Sequence, residues 1–332
     1  MILNPGILAL VVASLLVCGM VLYAAIGGVR ILRHWDITSG SESQLELERT
    51  TYLISTILAY FLALQLVSLF LFVQTADSIC TLFVGAMCAV GSLTVNGYGY
   101  PTLLLKVVTF FLAGLWLVLN HADSRGYDYP LIRPKYTLLL LITPLIVAET
   151  VVQGLYFGGL RPDIITSCCG SLFSPASRGL AQELAAAPAK PLLVAFYSAV
   201  AAVVSTSLYF FRRQRGGYLV ALASGGAFLV SLVAIISVIS LYVYQMPSHH
   251  CPFCILQKEY GYIGYLYYGC LLAGSVAGLG VGVLMPFRRH ESLSAYIPRI
   301  QRRLALVAAA SYMLLGLAAS WPIFFSPFRL DG

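Results

Sequence analysis

The sequence predicts an all-α membrane protein, a polytopic bundle of about eight transmembrane helices with both termini on the outer side. Three observations carry that expectation. Asp, Glu, Lys and Arg supply only 10 % of the 332 residues and hydrophobic types supply 59 %, whereas a soluble domain carries roughly 25 % charged residues. Eight stretches are apolar over the ~20 residues that a helix needs to cross a bilayer. The basic residues gather on alternate connections between those stretches. Such a chain cannot dress a water-facing surface, which excludes a soluble globular protein, and its apolar content excludes disorder. The formal net charge of +7 sits in short loops, with no basic stripe carrying interleaved aromatics. It therefore speaks for orientation in lipid, and no nucleic-acid partner is expected.

Taken in order, the first span is Ile7–Val29. It has no basic region before it and no small-residue cleavage site after it, so a retained helix is expected instead of a signal peptide. The second, Tyr52–Val73, carries Gln65, a residue suited to hydrogen bonding between helices. Ile79–Val95 is apolar but runs into Asn96-Gly97-Tyr98-Gly99-Tyr100-Pro101, a strong breaker. A short interfacial or re-entrant segment near 79–95 is the reading there. Pro101–Asn120, Tyr136–Gly158, Leu192–Phe211 and Tyr218–Tyr244 follow as spans. Ile255–Met285 is long and glycine-rich, so tilt or a bend is expected, and Leu304–Phe325 closes the series. The longest polar stretch, Gly159–Pro191, is an outer loop.

Fourteen of the 20 basic residues fall on one side. They are Arg30, Arg33 and Arg49, then Arg125, Arg133 and Lys135, then Arg212, Arg213 and Arg215, and finally Arg288, Arg289, Arg299, Arg302 and Arg303. By the positive-inside rule the odd-numbered connections lie in the cytoplasm. A ninth span at 79–95 would move the later basic loops to the wrong side. The expected setting is a bacterial cytoplasmic (inner) membrane, with lipid as the surrounding partner. The chain reads as a single polytopic domain over 1–332, without an internal repeat.

Six of the eight cysteines come in pairs: Cys80 with Cys88, Cys168 with Cys169, and Cys251 with Cys254. The topology puts all three pairs on the outer, oxidising face. Cys18 and Cys270 lie inside spans and read as packing residues. In His249-His250-Cys251-Pro252-Phe253-Cys254 the thiols have the spacing of a reversible disulfide. A helix starting near Cys254 would lower the pKa of Cys251, and His249 or His250 would supply a proton acceptor or a positive charge. A metal site and a static disulfide are the competing readings. A bond between the adjacent Cys168 and Cys169 is strained, so each is expected to reach another partner. That partner is Cys251 in a relay, or a metal shared with His249 or His250. Cys80 and Cys88 are open to a structural or a shuttle role.

Ionisable groups within spans are functional candidates because lipid penalises them. Glu149 lies in the middle of the fourth span, either exchanging protons or hydrogen-bonded between helices, with Lys106 as a possible partner. Lys258 stands one turn beyond Cys254, where it steadies a quinone oxygen or a thiolate, or snorkels to the interface. Tyr262 and Tyr265, in a run with Tyr260, Tyr267 and Tyr268, flank a flat ring or form an aromatic belt. The five histidines lie in loops or at span ends, and no C-x-x-C-H occurs, so no haem is expected. No P-loop, G-x-S-x-G or H-E-x-x-H is present.

The stretch Cys251-Pro252-Phe253-Cys254-Ile255-Leu256-Gln257-Lys258 resembles the active-site C-x-x-C of the DsbB-type quinone-linked disulfide oxidases, with Lys258 at the offset of a basic residue near the quinone. The order of parts over roughly 136–285 is similar to the vitamin K epoxide reductase family: an outer loop with two cysteines, two helices, then C-x-x-C at the outer start of the next helix. This resemblance implies a redox helix bundle at 136–285, a membrane quinone as cofactor, and an outer thioredoxin-like or other thiol protein as partner. Cys251, Cys254, Cys168, Cys169, Cys80 and Cys88 are then the redox candidates, with Lys258, Tyr262, Tyr265 and Glu149 toward the cofactor. A rival expectation is a metal-handling protein that offers His249, His250, Cys251 and Cys254 to copper, zinc or mercury. A third is a non-catalytic subunit of a membrane complex, its outer loops braced by disulfides.

Overall fold

The computed structural model describes residues 3–37, 39–162, 164–166, 188–247 and 249–328. Eight of its helices are long and apolar enough to cross a membrane. In chain order the helices are α1 (Pro5–His34), α2 (Glu42–Ser78), α3 (Ala89–Leu93), α4 (Gly99–Asp123), α5 (Ile132–Gly158), α6 (Ala189–Arg213), α7 (Gly217–Ala234), α8 (Ser240–Tyr244), α9 (Ile263–Val283) and α10 (Ile297–Phe325). A π-helical turn, Ile235–Ile239, joins α7 to α8 in one continuous span. No strand forms among the described residues beyond an isolated parallel bridge, Val84 with Ile165.

These helices keep large apolar side chains on their outsides: Leu8, Leu15 and Ile26 on α1, Leu222 and Leu229 on α7, and Leu317 and Phe324 on α10 are all exposed. An apolar surface of this extent has a low free energy only against lipid. The chain is an integral multi-pass membrane protein.

Two compact units divide the chain. The first comprises Met1–Thr75, Leu93–Arg161 and Pro286–Ile297. In it α5 packs against α1 and α4, around a core of Val21, Leu58, Trp116, Tyr136 and Ile142. Deep in that core, Glu149 on α5 accepts from Lys106 Nζ at 2.8 Å and Thr109 Oγ1 at 2.6 Å, both on α4. Gln65 on α2 donates to both of its oxygens at 2.8 and 2.7 Å, so three helices meet on one carboxylate. A second buried pair, Lys135 with Asp123 at 2.6 Å, ties the start of α5 to the end of α4.

The second unit comprises Ala76–Ser92, Pro162–Met285 and Pro298–Gly332. Here α7 packs between α6 and α9. Glycine on α9 makes the close approach possible: a Cβ at Gly278 would overlap the Ser224 side chain on α7. The segment 79–95 forms no helix of its own long enough to cross a membrane. It is broken into the 3₁₀ turn Cys80–Leu82 and the five-residue α3, with Gly85 at φ +85° between them. The stretch 136–285 is shared, Tyr136–Gly158 lying in the first unit and 162–285 in the second.

Candidate functional site

The site lies in the second unit, where two non-helical segments meet. The first follows α8. Gln245 takes a left-handed conformation and ends the helix, and the chain runs through His249 to Cys251. Cys254–Leu256 makes a 3₁₀ turn, Gln257 is extended, and Lys258–Tyr260 makes another. Gly261 and Tyr262, both at positive φ, reverse the chain before α9 starts at Ile263. The expectation of a span from Ile255 with a helix beginning near Cys254 is thus corrected. Cys251 lies twelve residues before α9 in sequence, not at the start of its first turn.

The second segment is 79–92. Asp77, at the end of α2, clamps it to the first. Its Oδ1 accepts from Ala89 N at 3.2 Å and from Gln257 Nε2 at 2.9 Å, and Gln257 Nε2 also donates to the carbonyl of Met87 at 3.0 Å. Cys88 sits between the two clamped residues Met87 and Ala89. Its Sγ therefore lies 3.5 Å from Cys251 Sγ, although 163 residues separate them in sequence. Cys254 completes the group, and the three sulfurs all lie within 4.8 Å of one another. All three residues are buried, Cys88 and Cys251 completely.

Aromatic side chains hold the Cys251 turn. The Tyr244 hydroxyl donates to the Cys251 carbonyl, and the Tyr268 hydroxyl donates to that of Pro252 at 2.8 Å. The Tyr244 ring is flanked by His249 and Tyr260, with centroids at 4.6 and 4.7 Å. Burial pushes the His249 imidazole below its usual range, opposed by a negative charge on Cys88. His250 is pushed down by burial as well, against the carbonyls of Ile236 and Ser237 in the π-turn. Both imidazoles are thus neutral proton acceptors at pH 7. Burial, then the neighbouring cysteine and glutamate charges, raise the Tyr260 phenol.

Tyr260 also forms a wall of an open cleft of about 590 Å³ between the ends of α8, α9 and α10, lined by Tyr242, Gln245, Tyr267, Trp321 and Phe325 among others. Tyr260 and Tyr244 thus connect this cleft to the Cys251 turn.

The other sequence candidates are distributed as follows. Cys80 is buried in the same 79–92 segment as Cys88 but is not one of the three clustered sulfurs. Cys168 and Cys169 lie outside the described residues. The chain just before them is placed, since Thr166 N donates to the Val84 carbonyl at 2.9 Å. Lys258 and Tyr262 are exposed and Tyr265 is half-buried; the two tyrosine rings lie 6.3 Å apart, and none of the three lines the cleft. His249 and His250 flank the cluster without joining it. Glu149 belongs to the network of the first unit. Sequence reasoning missed Asp77, Gln257, Tyr244 and the cleft, and named Tyr268 only as part of an aromatic run, not as a partner of the Pro252 carbonyl. A carboxylate at the end of a span, two residues before an apolar break, was the one signal available for Asp77.

No protein-family model, curated protein or solved structure matches the chain. Fold and site together define a multi-pass α-helical membrane protein with a buried three-thiol cluster.

Proposed function

We propose that the protein is a membrane thiol–disulfide oxidoreductase of a bacterial cytoplasmic membrane, exchanging electrons between a membrane quinone and outer-face thiols. The observation that carries this reading is the contact of Cys88 with Cys251 and the nearness of Cys254. Sulfurs 3.5 Å apart need only a small approach to reach the ~2.05 Å of a bond. In a Cys251–Cys254 disulfide, the Cys88 thiolate attacks the Cys251 sulfur. The Cys88–Cys251 bond forms, the Cys251–Cys254 bond breaks, and Cys254 leaves as a thiolate that takes up a proton. Neutral His249 is the nearby acceptor for the Cys88 proton. Electrons are conserved in that step. The new disulfide then passes to Cys80 or to a thiol of an outer protein by the same exchange, which returns Cys251 and Cys254 to thiols.

Restoring the Cys251–Cys254 disulfide requires loss of two electrons and two protons. The cleft suits a flat acceptor, because its volume falls in the range of small-molecule sites and Tyr242, Tyr260, Tyr267 and Trp321 offer ring faces. A quinone bound there supplies the oxidising equivalent by becoming quinol. The residues' part is to seat the ring and to hold Cys251 one aromatic layer away, through Tyr260 and Tyr244.

The test is a thiol count on the purified full chain. Adding one equivalent of a short-chain quinone to the reduced protein removes two titratable thiols, and Cys251→Ala abolishes that loss. In Cys80→Ala, which lacks the next acceptor within the chain, a Cys88–Cys251 disulfide accumulates and is found by peptide mass spectrometry. An unchanged thiol count with both quinone and quinol overturns the reading.

A further inference from the structure

The three clustered sulfurs allow a second kind of chemistry that needs no electron transfer. Cys88, Cys251 and Cys254 present three soft donors, mutually within 4.8 Å, a spacing at which one ion can touch all three. Thiolates select thiophilic cations over hard ones. Among the described residues no His, Asp or Glu joins the trio as a fourth donor, and Cys88 and Cys251 are wholly buried, away from bulk water. A structural zinc ion takes four protein ligands, and a catalytic one takes three plus water. A closed-shell monovalent ion that accepts three thiolates fits better.

The trio is also held in advance of any ligand. Cys88 is fixed by the Asp77–Gln257 clamp on its two neighbours, and the Cys251 turn is fixed by Tyr244 and Tyr268. These contacts come from four separate parts of the second unit, and none of them depends on a bond between sulfurs. A site whose donors need not be gathered on binding loses less ordering entropy to its ligand.

We infer that the reduced trio of Cys88, Cys251 and Cys254 is a three-coordinate copper(I) site. Binding displaces a proton from each thiol that ligates, with no change in oxidation state. Copper occupancy and a disulfide within the trio exclude each other, because each uses the same sulfur lone pairs. Copper(I) therefore locks the trio in its reduced form. The inference rests on the sulfur geometry alone and holds whether or not a quinone oxidises the pair.

The experiment is an anaerobic titration of the reduced, full-length protein in detergent with copper(I), in competition with a chromophoric copper(I) chelator. A variant that keeps these three cysteines and replaces Cys18, Cys80, Cys168, Cys169 and Cys270 by Ser or Ala isolates the site. The expected result is one copper(I) per chain in that variant, with three sulfur neighbours by X-ray absorption. Adding Cys88→Ser lowers the affinity by more than about a hundredfold, since disturbing only the partners of a metal ligand costs roughly 10–100-fold. No copper in the three-cysteine variant, two sulfur neighbours in place of three, or an affinity indifferent to Cys88→Ser each overturns the inference. Cys254→Ser serves as a second ligand variant should Cys88→Ser fail to give folded protein, and it carries the same expectation. Because no quinone is present, failure here leaves the thiol count with quinone standing, and the reverse holds equally.

Discussion

Two neutral imidazoles stand beside a group of thiols, and their burial has a stability consequence. His249 and His250 are held below the ordinary imidazole value of 6.5. Between 6.5 and the lower folded values the unfolded chain binds more protons than the folded one, so stability rises with pH through that window. Stability from these two residues is complete above about pH 6.5 and is lost as the pH falls. We expect the thermal midpoint in detergent to drop between pH 7.5 and pH 5, and a His249→Gln/His250→Gln variant to drop less over the same range. An equal pH slope in both proteins would mean that neither ring is held neutral by burial. At this scale the cysteine spacing of Cys251 and Cys254 was plain in the sequence. The partnership of Cys88 was not, because nothing local marks a contact across 163 positions.

At the scale of elements, the apolar spans were legible because each has to satisfy its own backbone inside lipid. Pro101–Asn120 became Gly99–Asp123, and Tyr218–Tyr244 became Gly217–Tyr244. The exception is instructive. Ile255–Met285 looked like one span because Ile255, Leu256 and the tyrosines are apolar, yet the helix starts only at Ile263. Gln257 spends its amide on Asp77 and Met87, and Gly264 allows the first turn of α9 to lie on the backbone of Ile255, where a Cβ would come within 2.9 Å of its carbonyl. Tertiary hydrogen bonds thus overrode hydropathy. The reverse holds for Gln65, Lys106 and Glu149, whose joining of α2, α4 and α5 was suggested by their polarity alone. Removing one partner of a buried ion pair costs about 3–5 kcal/mol, whereas replacing both by apolar groups is often neutral. Lys106→Met is therefore expected to lower the thermal midpoint markedly, and Lys106→Met/Glu149→Met to recover most of the loss. A double variant as unstable as the single one would show that the hydrogen bonds from Gln65 and Thr109, not the ion pair, hold the helices.

For the whole molecule, function depends on which face of the membrane carries the thiol cluster. Fourteen of the 20 basic residues assign the connections after α1, α4, α6 and α9 to the cytoplasm. By that rule the Cys251 turn, in the connection between α8 and α9, is expected on the opposite side, the oxidising one in the proposed cytoplasmic membrane. That placement is needed for the proposed chemistry, because the cytoplasm keeps exposed disulfides reduced. Reporter fusions decide it. A periplasmically active phosphatase fused after Phe325 is expected to be active, and one fused after Arg213 inactive. A reporter that fluoresces only in the cytoplasm should give the converse pattern. With the opposite outcome the cluster would face glutathione and thioredoxin, and the trio would be kept reduced. Thiol–disulfide exchange with an outer partner would then have no oxidised state to start from, while the copper(I) site, which needs only reduced sulfurs, would be favoured.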